Sequence, residues 1–337
     1  MAIRNHDRGI SLVSVFLFLC VHLWFLPPAV AAQDEPTQEV AVNLTEGRVV
    51  ICAATDAIIV STIGGQGEPG SRPPVVLSLS ALRAGVMMGA VEWVQPDSKD
   101  KPIRLDSELP GLIGAALNSS GVTKYANAAT DIETIGVAVL ERVRDLASQL
   151  HNKLNIGEDE PLIRIVLAGY VLNYGPEAWT IDYHIRQDAL GNDLWRTRVL
   201  RPTYNQLYPP EKGKPHTLME VRYPPANRAK DEPELLDLLH QNDPRLAALR
   251  TANERLAKSV GLVVDGLSQK SVGAFDVTFL RGAIPAVTPP GTKITMALVD
   301  FDKGFQWVME PPKAERPPVD TTPREPDAPT LRRKSEN

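Results

Sequence analysis

Arg48-Val-Val-Ile-Cys-Ala-Ala-Thr-Asp-Ala-Ile-Ile-Val-Ser-Thr-Ile63 reads as two short strands. Residues 48–54 and 57–63 are rich in β-branched side chains, and Thr55-Asp56 between them is a hairpin turn signal. Both runs are apolar at nearly every position, as expected for strands inside a core. Cys52 reads as a core thiol.

Working outward, residues 64–74 are a glycine and proline loop, and two further apolar runs follow at 75–79 and 84–94. The second is rich in small residues that allow close backbone approach. Residues 96–110 read as a charged loop, and the glycine-rich stretch 111–121 is also expected to be loop. The clearest helix is predicted over 131–154. Ile132, Ile135, Val139, Val143, Leu146 and Leu150 recur three or four apart, and Thr130 with Glu133 has capping-box spacing.

The pattern then switches to period two. Leu162-Ile-Arg-Ile-Val-Leu-Ala-Gly-Tyr170 is an apolar strand, and in residues 177–185 Trp179, Ile181, Tyr183 and Ile185 alternate with Thr180, Asp182 and His184, as in a half-buried antiparallel strand. Residues 194–223 are β-like but interrupted by Pro202, Pro209, Pro210 and Pro215, which predicts a loop-rich excursion. Asp243-Pro244 is an N-cap and first-turn pair opening a helix through Leu246, Leu249 and Leu256, a shorter helix is expected over 274–283, and residues 293–299 and 305–308 form a closing hairpin.

The ends differ in character. Residues 10–26 are an apolar run preceded by Arg4 and Arg8 and followed by Pro27-Pro-Ala-Val-Ala-Ala-Gln33, the order of a signal peptide, with cleavage expected between Ala32 and Gln33. The alternative is an uncleaved N-terminal membrane anchor. The expected organisation is a leader over 1–32, a flexible segment over 33–45, one globular domain over 46–309 and a disordered tail over 310–337, whose seven prolines and twelve charges leave little surface to bury. The export signal predicts a secreted or periplasmic protein with no stable membrane span after cleavage. With Cys20 in the leader, Cys52 is the sole cysteine of the mature chain and no internal disulfide can form.

The element order predicts an α+β fold with two stacked, mainly antiparallel sheets flanked by helices (αββα). Val49-Val-Ile-Cys-Ala-Ala-Thr-Asp-Ala-Ile-Ile-Val60 resembles the first strand pair of proteasome subunits and their relatives, the N-terminal-nucleophile hydrolases. Residues 162–182, with Ala-Gly-Tyr170 before the Gly175-Pro176 turn and Ile181-Asp182 beyond it, are similar to a later hairpin of that family. The resemblance covers residues 42–309 and implies a Thr, Ser or Cys made terminal by cleavage, whose own amine activates it. Thr45 is the nearest candidate. The resemblance also implies a lysine at the start of the strand after the first loop, where this chain has Arg72-Pro-Pro-Val-Val-Leu-Ser-Leu79 and no lysine. Arginine is a poor substitute where a neutralisable amine is needed.

Other chemistry is sparse. His151, His184, His216 and His240 lack metal-ligand spacing, no phosphate loop or dinucleotide fingerprint is present, and no metal or cofactor is expected. Ser268 and Lys270 lie two residues apart with no histidine nearby. Asn43-Leu-Thr45 and Asn118-Ser-Ser120 are glycosylation sequons, relevant to a eukaryotic export route. A net charge of -5 without a basic stripe argues against a nucleic-acid partner. Tyr204, Tyr208 and Tyr223, in proline-rich surroundings, are candidate binding residues.

These readings favour a binding or assembly protein without a catalytic set, with an unidentified protein or envelope partner or a second copy of the chain. The alternatives are a self-processed amide or peptide hydrolase using Thr45, and an envelope protein tethered by its tail. N-terminal sequencing of the protein purified from its host is expected to find Gln33 first, or Ala32 if the cut follows Ala31; a start at Thr45 would replace the binding reading by the hydrolase.

Overall fold

The computed structural model describes residues 40–54, 56–64, 72–94, 102–119, 128–157, 159–171, 175–209, 217–224, 235–240, 243–259 and 272–311. The leader and nearly all of the expected disordered tail therefore lie outside the described residues. The described residues belong to one compact unit.

The hairpin forms as read: β2 (Gly47–Ala53) pairs antiparallel with β3 (Ala57–Gly64), from Arg48 opposite Ile63 to Ala53 opposite Ile58. Ala54 N donates to Ala57 O at 2.9 Å across the turn. All eight residues of β3 are buried, so neither face meets water. The closing hairpin, β13 (Lys293–Asp300) with β14 (Gly304–Met309), pairs along the other side of β3, and β12 (Thr217–Tyr223) pairs with β2. The result is a five-stranded antiparallel sheet in the order β12-β2-β3-β13-β14.

A second, seven-stranded sheet is built on β5 (Arg83–Val94), with β1 (Ala41–Thr45), β5, β7 (Ile163–Val171), β8 (Gly175–Tyr183) and β11 (Thr203–Tyr208) side by side. The short β4 (Val76–Ser80) and β6 (Ile103–Arg104) also pair with β5. A separate two-stranded ribbon joins β9 (Ile185–Gly191) to β10 (Leu194–Val199). The described residues are thus an α+β fold with antiparallel sheets.

Successive side chains of a strand point to opposite faces, and the core divides accordingly. Val49, Ile51, Ala53, Ile58 and Val60 join Val86, Met88, Val166, Ala168 and Tyr170 in a cluster drawn from both sheets. The intervening Val50, Cys52, Ile59 and Ile63 pack with Leu235 and Leu239 of α3 (Leu235–His240) and with Leu280, Ala283 and Ile284 of α5 (Val272–Val287). On the seven-stranded sheet, Met87, Val91, Trp93, Ile163, Ile165, Ile181 and Tyr183 pack with α1 (Leu105–Ser119) and α2 (Ala128–Ala147). Each fully buried large aliphatic contributes roughly 1.5–3 kcal/mol relative to exposure.

The predicted stripe of α2 is buried throughout, from Ile132 to Leu150. Asp243 caps as expected, its carboxylate accepting from Arg245 N at 2.9 Å, and the 3-10 turn Pro244–Leu246 leads into α4 (Ala247–Ser259).

Five expectations are corrected. Residues 105–119, taken as loop, form α1: Leu105, Leu109, Ile113 and Ala116 make a buried stripe that outweighs Pro110 and the glycines. The helix predicted from 131 starts at Ala128 and ends at Ala147, so Thr130 and Glu133 lie within its first turns and the capping box does not mark its start. The segment expected to be flexible up to Thr45 contains β1, held by the backbone ladder to β5. β8 is not half-buried, because Ala178 and Thr180 on its second face are also covered. The expected excursion over 194–223 supplies β11 and β12 at the edges of the two sheets, where proline is tolerated.

Two glycines report opposite constraints. Gly89 has φ +93°, and a Cβ there would collide with the Leu162 carbonyl oxygen, whereas Gly111 on the exposed side of α1 has nothing within 4 Å. Gly89→Ala is expected to destabilise the fold by about 2 kcal/mol or more. Gly111→Ala should stabilise it by about 0.5–1 kcal/mol. Urea unfolding midpoints of the two variants check both signs.

Candidate functional site

Thr45 is the last residue of β1, opposite Gly89 of β5, and is buried. Only Glu46 separates it from β2, so the chain passes from the seven-stranded to the five-stranded sheet in a single residue. The step is close-packed: a Cβ on Gly47 would lie 2.5 Å from Ile63 O and 2.8 Å from Pro74 Cδ.

Around Thr45 the fold assembles a small polar group. Arg72 forms an isolated parallel bridge with Thr45, and its Nη1 lies 3.2 Å from Oε2 of Glu92 on β5. Asn43 Nδ2 donates to Glu92 Oε1 at 3.0 Å. Glu92 is buried between these partners, and Arg104, opposite it on β6, turns to Asp106 with Nε–Oδ1 at 3.1 Å. Sequence reading missed Glu92. Its signal was a lone carboxylate in the apolar run Val86-Met-Met-Gly-Ala-Val-Glu-Trp93, which must find a partner when the strand is buried.

The chemistry this group can perform is narrow. A terminal nucleophile needs an α-amine at Thr45, and in this fold Leu44 is paired with Ala90 in the same ladder that holds Thr45. A guanidinium, unlike a lysine amine, is not a side chain that serves as a general base. Glu92 is committed to an ion pair and an amide.

The remaining candidates are dispersed. Cys52 is buried in β2. Tyr208 and Tyr223 are almost fully buried in the cluster shared by the sheets, whereas Tyr204 is half-buried with its ring next to Gly136 of α2, so the three do not share one exposed surface. Burial pushes the Tyr183 phenol far above its ordinary value; burial does the same for Tyr170, helped by the Asp56 and Asp300 carboxylates. Both phenols are neutral, and Tyr183 donates to Gly136 O at 3.0 Å. His184 lies between β8 and β9 and His151 beyond the end of α2, His216 and the Ser268/Lys270 pair lie outside the described residues, and among the described residues no group of His, Cys, Asp and Glu is arranged to hold a metal. A cleft of about 540 Å³ at the end of α5 is lined by Pro285, Thr288, Pro289, Pro290 and Arg245, and the last is held by Asp243 at 2.6 Å.

No family model matches the chain, and neither does any curated protein. Among the described residues, no helix is long and apolar enough to cross a membrane.

A more extensive polar assembly ties the two sheets together. Arg164 of β7 grips Asp182 of β8 with Nε–Oδ1 at 2.7 Å and Nη2–Oδ2 at 2.6 Å, and its Nη1 donates to Arg222 O of β12 at 3.0 Å. Glu220 of β12 accepts from Arg222 Nε at 2.7 Å and from Leu236 N of α3 at 3.1 Å. Bidentate geometry and partial burial make such a pair stronger than a surface ion pair. Asp182→Ala is expected to cost ~2 kcal/mol because it strands a half-covered guanidinium. The same change in an Arg164→Ala background should cost less than half of that, as a double-mutant cycle by chemical denaturation will show.

Proposed function

We propose that the chain is an exported domain of N-terminal-nucleophile-hydrolase-like architecture that lacks the catalytic set and works by binding or assembly, in the periplasm or outside the cell. The αββα reading is supported by the three buried clusters: one draws on both sheets, and each of the other two pairs one sheet with its own helices. The resemblance of residues 49–60 and 162–182 to that family supports the same reading, since those segments form β2–β3 and β7–β8.

The observation that carries the functional conclusion is the setting of Thr45. It is paired on β1 and flanked by an arginine where the family's chemistry calls for a lysine. Cleavage before Thr45 would cut a laddered strand whose Leu44 packs against the helix-side core. A fold that uses this segment as structure has little reason to remove it.

The test compares wild type and Thr45→Ala, each purified from the exporting host, by intact mass and by hydrolysis of a panel of amide and peptide substrates. Equal mass apart from the substitution, and no turnover by either protein, is expected. Turnover that disappears in Thr45→Ala, together with a wild-type N-terminus at Thr45, would establish the hydrolase instead.

A further inference from the structure

The β9–β10 ribbon has one anchored face and one bare face. On the anchored side, Trp195 N donates to His151 O at 2.7 Å, Gln187 Nε2 reaches Asn152 O at 3.1 Å and Thr197 Oγ1 at 2.9 Å, and Leu154 N donates to Gln187 Oε1 at 2.9 Å. Lys153 Nζ lies 5.2 Å from the Trp195 ring centroid. These contacts fix the ribbon to the segment that follows α2.

The opposite face carries Arg186, Asp188, Arg196 and Arg198, since Arg196 pairs with Asp188 and Arg198 with Arg186. The turn is Asn192-Asp193 with φ of 52° and 60°, the two-residue type that keeps a hairpin tight. Every residue from 189 to 194 is exposed. Leu190 and Leu194 flank this turn, 56% and 47% exposed, with Leu194 opposite Gly191 in the ladder. A single exposed leucine needs no explanation, but two flanking one turn give the end of the ribbon an apolar component beside the polar Asn192 and Asp193.

We propose that this ribbon is a docking tip for an anionic phospholipid surface, with Leu190 and Leu194 entering the acyl boundary and the arginines meeting the headgroups. Charge favours this occupant: residues 185–201 carry Arg186, Arg196, Arg198 and Arg201 against Asp188 and Asp193, within a chain of net charge -5. Asp188 lies 3.3 Å from both Arg186 and Arg198, and Arg196 and Arg201 add two more exposed guanidinium groups. Depth favours it too. Arg196 is two residues behind Leu194, about 7 Å along the strand, comparable with the roughly 5–10 Å to which interfacial segments bury their apolar residues at the headgroup and acyl boundary. A convex tip with exposed residues on both strands fits a soft layered surface better than the groove of a folded partner. The inference does not depend on the reading of Thr45 or on the fold family.

The experiment is co-sedimentation of the full chain with phosphatidylglycerol-containing vesicles and with pure phosphatidylcholine vesicles, using the same N-terminus in every sample. Binding to the anionic vesicles that weakens with salt is expected. Leu190→Asn/Leu194→Asn should weaken it about tenfold or more, and Arg196→Gln and Arg201→Gln about fivefold each. Circular dichroism and unchanged thermal transitions establish that the variants fold. Wild-type protein that stays with the supernatant, as for a tip serving a protein partner, overturns the proposal. So does vesicle binding that the leucine double variant leaves unchanged, as for binding through the leader.

Discussion

All eight residues of β3 are buried, so both faces of the strand must be covered at once. A single sheet cannot meet that demand, and the rest of the described fold answers it. One set of β3 residues, Ile58 and Val60, is covered by strands of the seven-stranded sheet; the other, Ile59 and Ile63, by α3 and α5. The seven-stranded sheet then exposes an apolar face of its own, which α1 and α2 cover with Leu109, Ile113, Ile135 and Val139. Each layer exists because the one before it would otherwise leave apolar surface in water.

Polar groups trapped by this layering are matched across elements. Thr62 and Thr295 sit within hydrogen-bond distance on neighbouring strands of one sheet, and Thr295 Oγ1 also accepts from Val76 N of β4 in the other at 3.1 Å. Arg164 does similar work farther along, joining Asp182 of β8 to the backbone of β12. Such bonds add little net stability, but leaving any of these groups unmet would cost more, so they fix how the two sheets are aligned.

The elements legible in sequence were those whose pattern and chemistry agreed. The β2–β3 and β13–β14 hairpins, the α2 stripe and the Asp243 cap were all readable. α1 was hidden because Pro110, Gly111 and Gly114 mask a stripe that only tertiary burial reveals. β1 was hidden because its pattern is polar at Asn43 and Thr45, and its pairing with β5 comes from residues more than forty positions away. The three tyrosines drew attention for their proline-rich context, but a ring at the sheet edge looks the same in sequence whether it points inward or outward. Glu92 is the reverse case. Its isolation among apolar residues was visible, but its partners Asn43 and Arg72 lie in segments that only the folded sheet brings together.

The passage from β1 to β2 through Glu46 has a mechanical consequence. One residue spans at most about 3.6 Å, so at this end the sheets are fastened by a link too short to permit sliding. Breathing of the domain would therefore pivot about this corner, with the largest displacements at the far ends of the strands. A force applied to the N-terminus would not peel the sheets apart either: it would reach β1 first and be carried as shear by its ladder to β5, the strand on which the seven-stranded sheet is built.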